Sequence, residues 1–186
     1  MTHREFFSNW STTMKYLTLA VVFAVAVATT GMPADRKEPV VNPAIDMDGY
    51  LRVSREAAAH RETRRISEAD LMRMSKESGT IVLDARSKEK FDLLHVNGAI
   101  NLSFPDITVE SLKRTIPDKS TRILIYCNNN FKNAEKPFPT KMPTASLNLA
   151  TYIALYTYGY RNIYELGPQI DPKQSKLPLV PTATTR

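Results

Sequence analysis

Cys127 is the single cysteine of a 186-residue chain, and its surroundings suit a nucleophile. It follows the apolar run Ile123-Leu124-Ile125-Tyr126 and opens the stretch Asn128-Asn129-Asn130-Phe131-Lys132. A short run of β-branched and aromatic residues bounded by polar ones predicts a central, buried strand of a parallel sheet. In open α/β sheets, ligands bind outside the carboxyl ends of the strands, so a thiol at the end of such a strand stands where chemistry gathers. The competing reading is a buried, inert thiol acting as a small hydrophobe. Its place at the strand end, not within the strand, weakens that reading.

The other chemistry-bearing residues are few. Asp84 and Arg86 follow the apolar run Thr80-Ile81-Val82-Leu83, which predicts a second buried strand, so that Asp84 and Cys127 lie at the same sheet edge. Of the three histidines, His3 is near the amino terminus, His60 is in a charged helical segment, and His95 precedes Gly98. No His/Cys/Asp cluster has metal-ligand spacing.

The elements that must position these residues alternate in type. Residues 48–63 carry Tyr50, Leu51, Val53, Ala57 and Ala58 near helical spacing, among arginines read as a solvated face. Ser67-Glu68-Ala69-Asp70 has the form of a capping box, opening a short helix to about Glu77 that Gly79 closes. Residues 99–102 and 162–166 are further strands, and residues 109–115 a short helix stopped before Pro117. Residues 144–158 form the strongest helix, capped by Gly159. Strands alternating with helices imply an α/β fold with a mainly parallel sheet flanked by helices on both faces. After Gly167-Pro168 the chain is Pro-rich and aperiodic, which predicts an extended tail over 171–186.

The amino-terminal 34 residues differ from the rest. Lys15 precedes an uncharged stretch, Tyr16 to Ala34, whose core from Leu17 to Ala28 is almost wholly apolar; Met14 could be the true start. This pattern predicts a secretory signal peptide cleaved after Ala28 or Ala34, hence export, to the periplasm in a bacterium. An uncleaved inner-membrane anchor is the runner-up, disfavoured because the run is shorter than the about 20 residues that span a bilayer. Residues 35–63 are a linker followed by the amphipathic helix. A lone cysteine in an exported chain cannot form an internal disulfide. The formal charge of +6 becomes +5 without residues 1–34, which suits anionic small ligands; no basic stripe with interleaved aromatics accompanies it, so nucleic acid is excluded.

Four segments taken together resemble the rhodanese domain: Val82-Leu83-Asp84-Ala85-Arg86, residues 95–102 (HVNGAINL), Ile123 to Cys127, and residues 158–166 (YGYRNIYEL). The order and spacing match over residues 64–168. The resemblance implies a rhodanese-like three-layer α/β domain whose cysteine, here Cys127, takes a sulfur atom from a small anionic donor such as thiosulfate, holds it as a persulfide and passes it to a thiol or other nucleophile. It implies no cofactor beyond that covalent persulfide. Loop amides together with Asn128, Asn129, Asn130, Phe131 and Lys132 would bind the donor. Asp84 and Arg86 match the family's D-x-R, and His95 and Gly98 its H-x-x-G-A turn; these residues would support the site, mainly as structure. A cysteine attacks as thiolate, and with a free pKa of about 8.5 it needs positive potential, which inward-pointing backbone amides and a helix amino terminus supply.

The chain departs from the family's pattern in the loop. Ser146 aligns with the start of the next helix, 19 positions after Cys127, where the family's loop is much shorter. Asn130 stands where glycine is frequent, and Lys132 where arginine is frequent. Asparagine tolerates left-handed geometry, and lysine keeps the charge without the bidentate fork. Residues 133–143, with Lys136, Lys141 and three prolines, read equally as a lid bringing cations over the thiol or as a proline-stiffened surface loop. Two further readings stay open: a rhodanese-like module binding an envelope protein without turnover, and a hydrolase-like dyad of His95 and Cys127. Asn133 stands where cysteine-dependent phosphatases need an arginine, which argues against that chemistry.

Overall fold

The computed structural model describes residue 40 and residues 42–182. The expected leader, residues 1–34, and about half of the linker, residues 35–39 and 41, lie outside the described residues. The folded unit begins at Pro43.

Its first element, α1 (Met47–Arg61), is capped by the Asp46 side chain, which accepts from the Gly49 amide. Only the carboxyl-terminal half of α1 docks on the domain: Ala57 is buried, whereas Met47, Tyr50 and Leu51 are exposed. The two-residue strand β1 (Arg65–Ile66) follows, and then α2 (Glu68–Met74). The Ser67 hydroxyl caps α2 as expected, accepting from the Asp70 amide at 3.1 Å. The Asp70 carboxylate accepts from the Ser67 hydroxyl and also from the Ser67 backbone, so the aspartate takes its expected part in the cap.

The buried runs form β2 (Thr80–Asp84) and β5 (Arg122–Tyr126). Between them lie α3 (Lys88–Leu93), β3 (His95–Val96), β4 (Ile100–Asn101) and α4 (Val109–Thr115). Thr108 and Ser111 form a reciprocal capping box at the start of α4. After β5 come α5 (Leu147–Thr157), β6 (Ile163–Leu166) and β7 (Leu179–Val180). Gly159, at φ 89°, takes the left-handed turn that ends α5 without the steric cost a side chain would bring.

The main sheet has the order β1-β6-β5-β2-β4, and every pair in it is parallel. The α/β class with a parallel sheet flanked by helices is therefore correct. Because successive strand residues point to opposite faces, β5 divides cleanly. Ile123 and Ile125 pack with Ala57 of α1, Leu112 of α4, and Tyr152 and Leu155 of α5. Leu124 and Tyr126 face Leu71 and Met74 of α2, together with Phe131, Phe138 and Leu177.

The Pro-rich segment after Pro168 is not a free tail. β7 pairs antiparallel with β3, and Leu177 is buried in the second core cluster. One oxygen of Glu68, Oε1, accepts from the Ser175 hydroxyl and from the amides of Lys176 and Leu177. Periodicity misses such a segment because a two-residue strand pairing, a carboxylate and a few scattered apolar contacts hold it in place, and none of them imposes a repeat. Among the described residues no helix is long and apolar enough to cross a membrane.

Candidate active site

The pleat that buries Ile123 and Ile125 on the α5 side of the sheet also directs Cys127 to that side. Its Sγ lies 3.5 Å from Oγ of Ser146, the residue that opens α5. Ser146 makes no side-chain cap, so the amino terminus of the eleven-residue helix stands open beside the thiol. A cavity of about 210 Å³ adjoins this point, lined by Cys127, Ser146 and Asn148 together with Arg61, Arg65 and Glu165.

The loop leaving β5 is held by Asn130. Its Oδ1 accepts from the Cys127 amide at 2.8 Å and from Nδ2 of Asn148 at 3.0 Å. Its own Nδ2 donates to the carbonyls of Leu166 (2.7 Å) and Pro168 (3.1 Å). Both lone pairs and both protons of the amide are thus used. Asn130 does not take the left-handed geometry expected from its alignment with glycine. Among the described residues the non-glycine position with positive φ is Asn133, at 60°, where Nδ2 reaches Asp171. The amides of Asn130, Phe131 and Lys132 are taken by the carbonyls of Cys127, Asn128 and Ile170.

Asp84 and Arg86 form a buried ion pair at the end of β2. Arg86 spends every N–H it has: Nε and Nη2 on Asp84, Nη2 also on the Leu94 carbonyl, and Nη1 on the carbonyls of Lys90 and Pro137. Its guanidinium also lies over the Phe138 ring, 4.3 Å from the centroid. Phe138 is buried and stacks on Phe131 at 4.2 Å. The Asp84 carboxylate accepts the Tyr126 hydroxyl as well, and burial together with that carboxylate pushes the phenol far above its ordinary pKa. The pair is therefore a clamp that fixes the segment 134–139 to the sheet edge.

The structure separates the residues that the sequence grouped. Asn129 and Asn130 line the cavity with Cys127; Asn128 faces a larger cavity, about 390 Å³, beside Arg86, Lys90 and Lys141, which does not reach the thiol. The Asn128 Nδ2 donates to the Pro139 carbonyl and that of Asn129 to the Lys141 carbonyl, tying the loop to its own return. Phe131 is fully buried in the core. Lys132 is exposed and pairs its backbone with Ile170, so its side chain does not line the cavity. Lys136 and Lys141 do not line it either; of the segment 133–143 only Pro143 does. His95 is no partner of Cys127: its Nδ1 meets the Phe91 carbonyl at 2.8 Å and its ring stacks on Phe91 at 3.8 Å.

Sequence reasoning missed Arg61, Arg65, Asn148 and Glu165. Glu165 is buried at the end of β6, and Arg61 grips it through Nε and Nη2, the latter 2.6 Å from Oε1. That bond raises the Arg61 pKa above its ordinary value. A signal existed, since a glutamate in the strand motif 162–166 needs a cation, but nothing in the spacing said which arginine supplies it. Among the described residues no group of acidic, histidine and cysteine side chains could hold a metal.

The Rhodanese-like domain family matches residues 67–166. Among solved structures, a rhodanese from E. coli is 22% identical over 55% of this chain and 98% of its own, with a TM-score of 0.38. The BH2092 protein of Bacillus halodurans is 26% identical over 62% of this chain and 76% of its own, with a TM-score of 0.43. A thiosulfate sulfurtransferase from Pseudomonas aeruginosa is 14% identical, with a TM-score of 0.46, and aligns with 71% of this chain but only 23% of its own. No curated protein matches. Since the family match spans more than half of the chain and contains the strand that ends at Cys127, the chain belongs to the Rhodanese-like domain family.

Proposed function

We propose that the protein is an exported sulfurtransferase or persulfide carrier with Cys127 as its nucleophile. The observation that carries this reading is the position of the thiol, 3.5 Å from Ser146 at the amino terminus of α5, which has no side-chain cap, and at the wall of a small cavity. A helix amino terminus suits the oxygens of an anionic donor.

The thiolate attacks the outer, sulfane sulfur of thiosulfate; the S–S bond of the donor breaks and its electron pair leaves with sulfite. Cys127 then carries a persulfide. An acceptor thiolate attacks the terminal sulfur, the Cys127–sulfur bond breaks, and the Cys127 thiolate is restored while the acceptor leaves as a persulfide. No external oxidant or reductant is consumed. Arg61 and Glu165 balance each other at the cavity wall, and Asn130 holds the Cys127 backbone still through both steps.

The steady-state test is formation of thiocyanate from thiosulfate and cyanide by the wild type and by Cys127→Ser. Turnover abolished by the substitution supports the reading; turnover that survives it rules out Cys127 as the carrier.

A second reading rests on one observation, that Cys127 is only 1% exposed. A rhodanese-like binding module in the cell envelope would keep its thiol so covered and would bind its protein partner equally well as Cys127→Ser.

A further inference from the structure

We infer that Arg65, from the strand that precedes the family-matched segment, selects small oxyanion-bearing donors at the Cys127 cavity. The inference rests on the reading of Cys127 as a nucleophile open to small reagents.

Three charged side chains line this cavity: Arg61, Arg65 and Glu165. Glu165 is 4% exposed and is gripped by Arg61 in a two-point ion pair, so these two cancel. Arg65 forms no ion pair among the described residues. Its one hydrogen bond runs from Nη2 to the Gly167 carbonyl at 3.2 Å, which leaves the remaining N–H groups of the fork for a ligand. The net charge of the wall is therefore that of Arg65.

The backbone fixes this placement. β1 adds to the sheet beside β6 in parallel register, with Arg65 opposite Glu165 and Ile66 opposite Leu166. Aligned residues of parallel strands point to the same face, so Ile66 joins Leu166 in one core while Arg65 shares the Cys127 face with Glu165. The Arg65 stem lies against Gly167, where a Cβ would stand 3.6 Å from the Cβ of Arg65, at ordinary contact distance.

The same site lacks the cation that the sequence suggested. Lys132, Lys136 and Lys141 are directed elsewhere, and Arg65 takes the role that a loop cation would have had. A guanidinium binds two oxygens of a sulfonate or similar group at once, which an ammonium cannot do. The volume of about 210 Å³ is below the roughly 300 Å³ at which drug-sized sites begin, so the donor class is a small anion such as thiosulfate.

The test compares two alkylating agents of similar size, anionic iodoacetate and neutral iodoacetamide, on Cys127 of the full chain and its Arg65→Ala and Arg65→Gln variants. Loss of one charge-assisted contact should lower the iodoacetate-to-iodoacetamide rate ratio by about tenfold while the iodoacetamide rate stays within about twofold. Arg65→Gln keeps the stem over Gly167, so it gives the answer should the alanine variant fold poorly. In the thiosulfate and cyanide assay the same variants should raise KM for thiosulfate by about tenfold with kcat little changed. An unchanged rate ratio in folded Arg65→Gln overturns the inference, whether or not sulfur is transferred. A ratio that falls in a protein that forms no persulfide upholds anion selection by Arg65 and overturns the sulfurtransferase reading instead.

Discussion

The side-chain oxygen of Asn130 accepts the backbone N–H of Cys127 at 2.8 Å, while its nitrogen reaches the carbonyls of Leu166 and Pro168 at the end of the neighbouring strand. One amide thus couples the nucleophile's backbone to β6 and, through Asn148, to α5. A glycine at this position could make none of these bonds.

The first prediction concerns that hub. Asn130→Ala strips partners from three buried groups and one part-buried group and should cost about 2–4 kcal/mol, against about 1 kcal/mol for an ordinary substitution. Chemical denaturation of the two proteins gives the difference. A loss under 0.5 kcal/mol would mean that the loop is held by other contacts.

The Asp84–Arg86 clamp should matter to the loop more than to the chemistry. Removing one partner of a buried pair leaves an uncompensated charge, so Arg86→Ala should destabilise by about 3–5 kcal/mol. Because Arg86 also holds the Pro137 carbonyl and lies over Phe138, limited proteolysis should cut within residues 134–142 faster in the variant than in the wild type. Equal cleavage rates would show that the aromatic stack alone keeps the segment down.

The contact of α1 with α5 should respond to acid. His60 Nδ1 lies 2.7 Å from the Tyr152 hydroxyl, and burial, helped by the charges of Arg64 and Arg161, lowers its pKa below 6.5. Burial pushes the Tyr152 phenol the other way, up to about 12. A histidine with a depressed folded pKa binds fewer protons folded than unfolded, so it costs stability as pH falls through about 6.5 and nothing well above it. The drop in denaturation midpoint between about pH 7.5 and 5.5 should therefore be smaller in His60→Gln than in the wild type. The same drop in both would remove His60 as its source.

These contacts also explain what could and could not be read from the residues alone. Cys127 at a strand end, the buried runs of β2 and β5, the capping of α2 by Ser67 and the presence of α5 follow from local patterns, and the structure has all of them, although α5 starts three residues later than expected because Pro143–Ala145 form a separate 3-10 turn. β1 and β7 are two residues long and exist only because β6 and β3 offer them partners. Arg61 and Arg65 were hidden for a related reason. Arginines in a polar segment look alike whether they are solvated or gripping a buried glutamate; the docking of α1 brings Arg61 to the cavity beside the thiol, and the register of β1 against β6 brings Arg65 there. Lys132 failed in the opposite sense: its spacing from Cys127 was right, but the bridge between Phe131 and Ile170 turns the chain away from the cavity.

The central claim is that Cys127 carries sulfur. Intact mass spectrometry of the chain after incubation with thiosulfate tests it most directly, with Cys127→Ser as control. The account predicts a gain of one sulfur atom that is absent from the variant and is discharged by cyanide or a thiol. No gain, in a protein whose Cys127 still reacts with iodoacetamide, would contradict it.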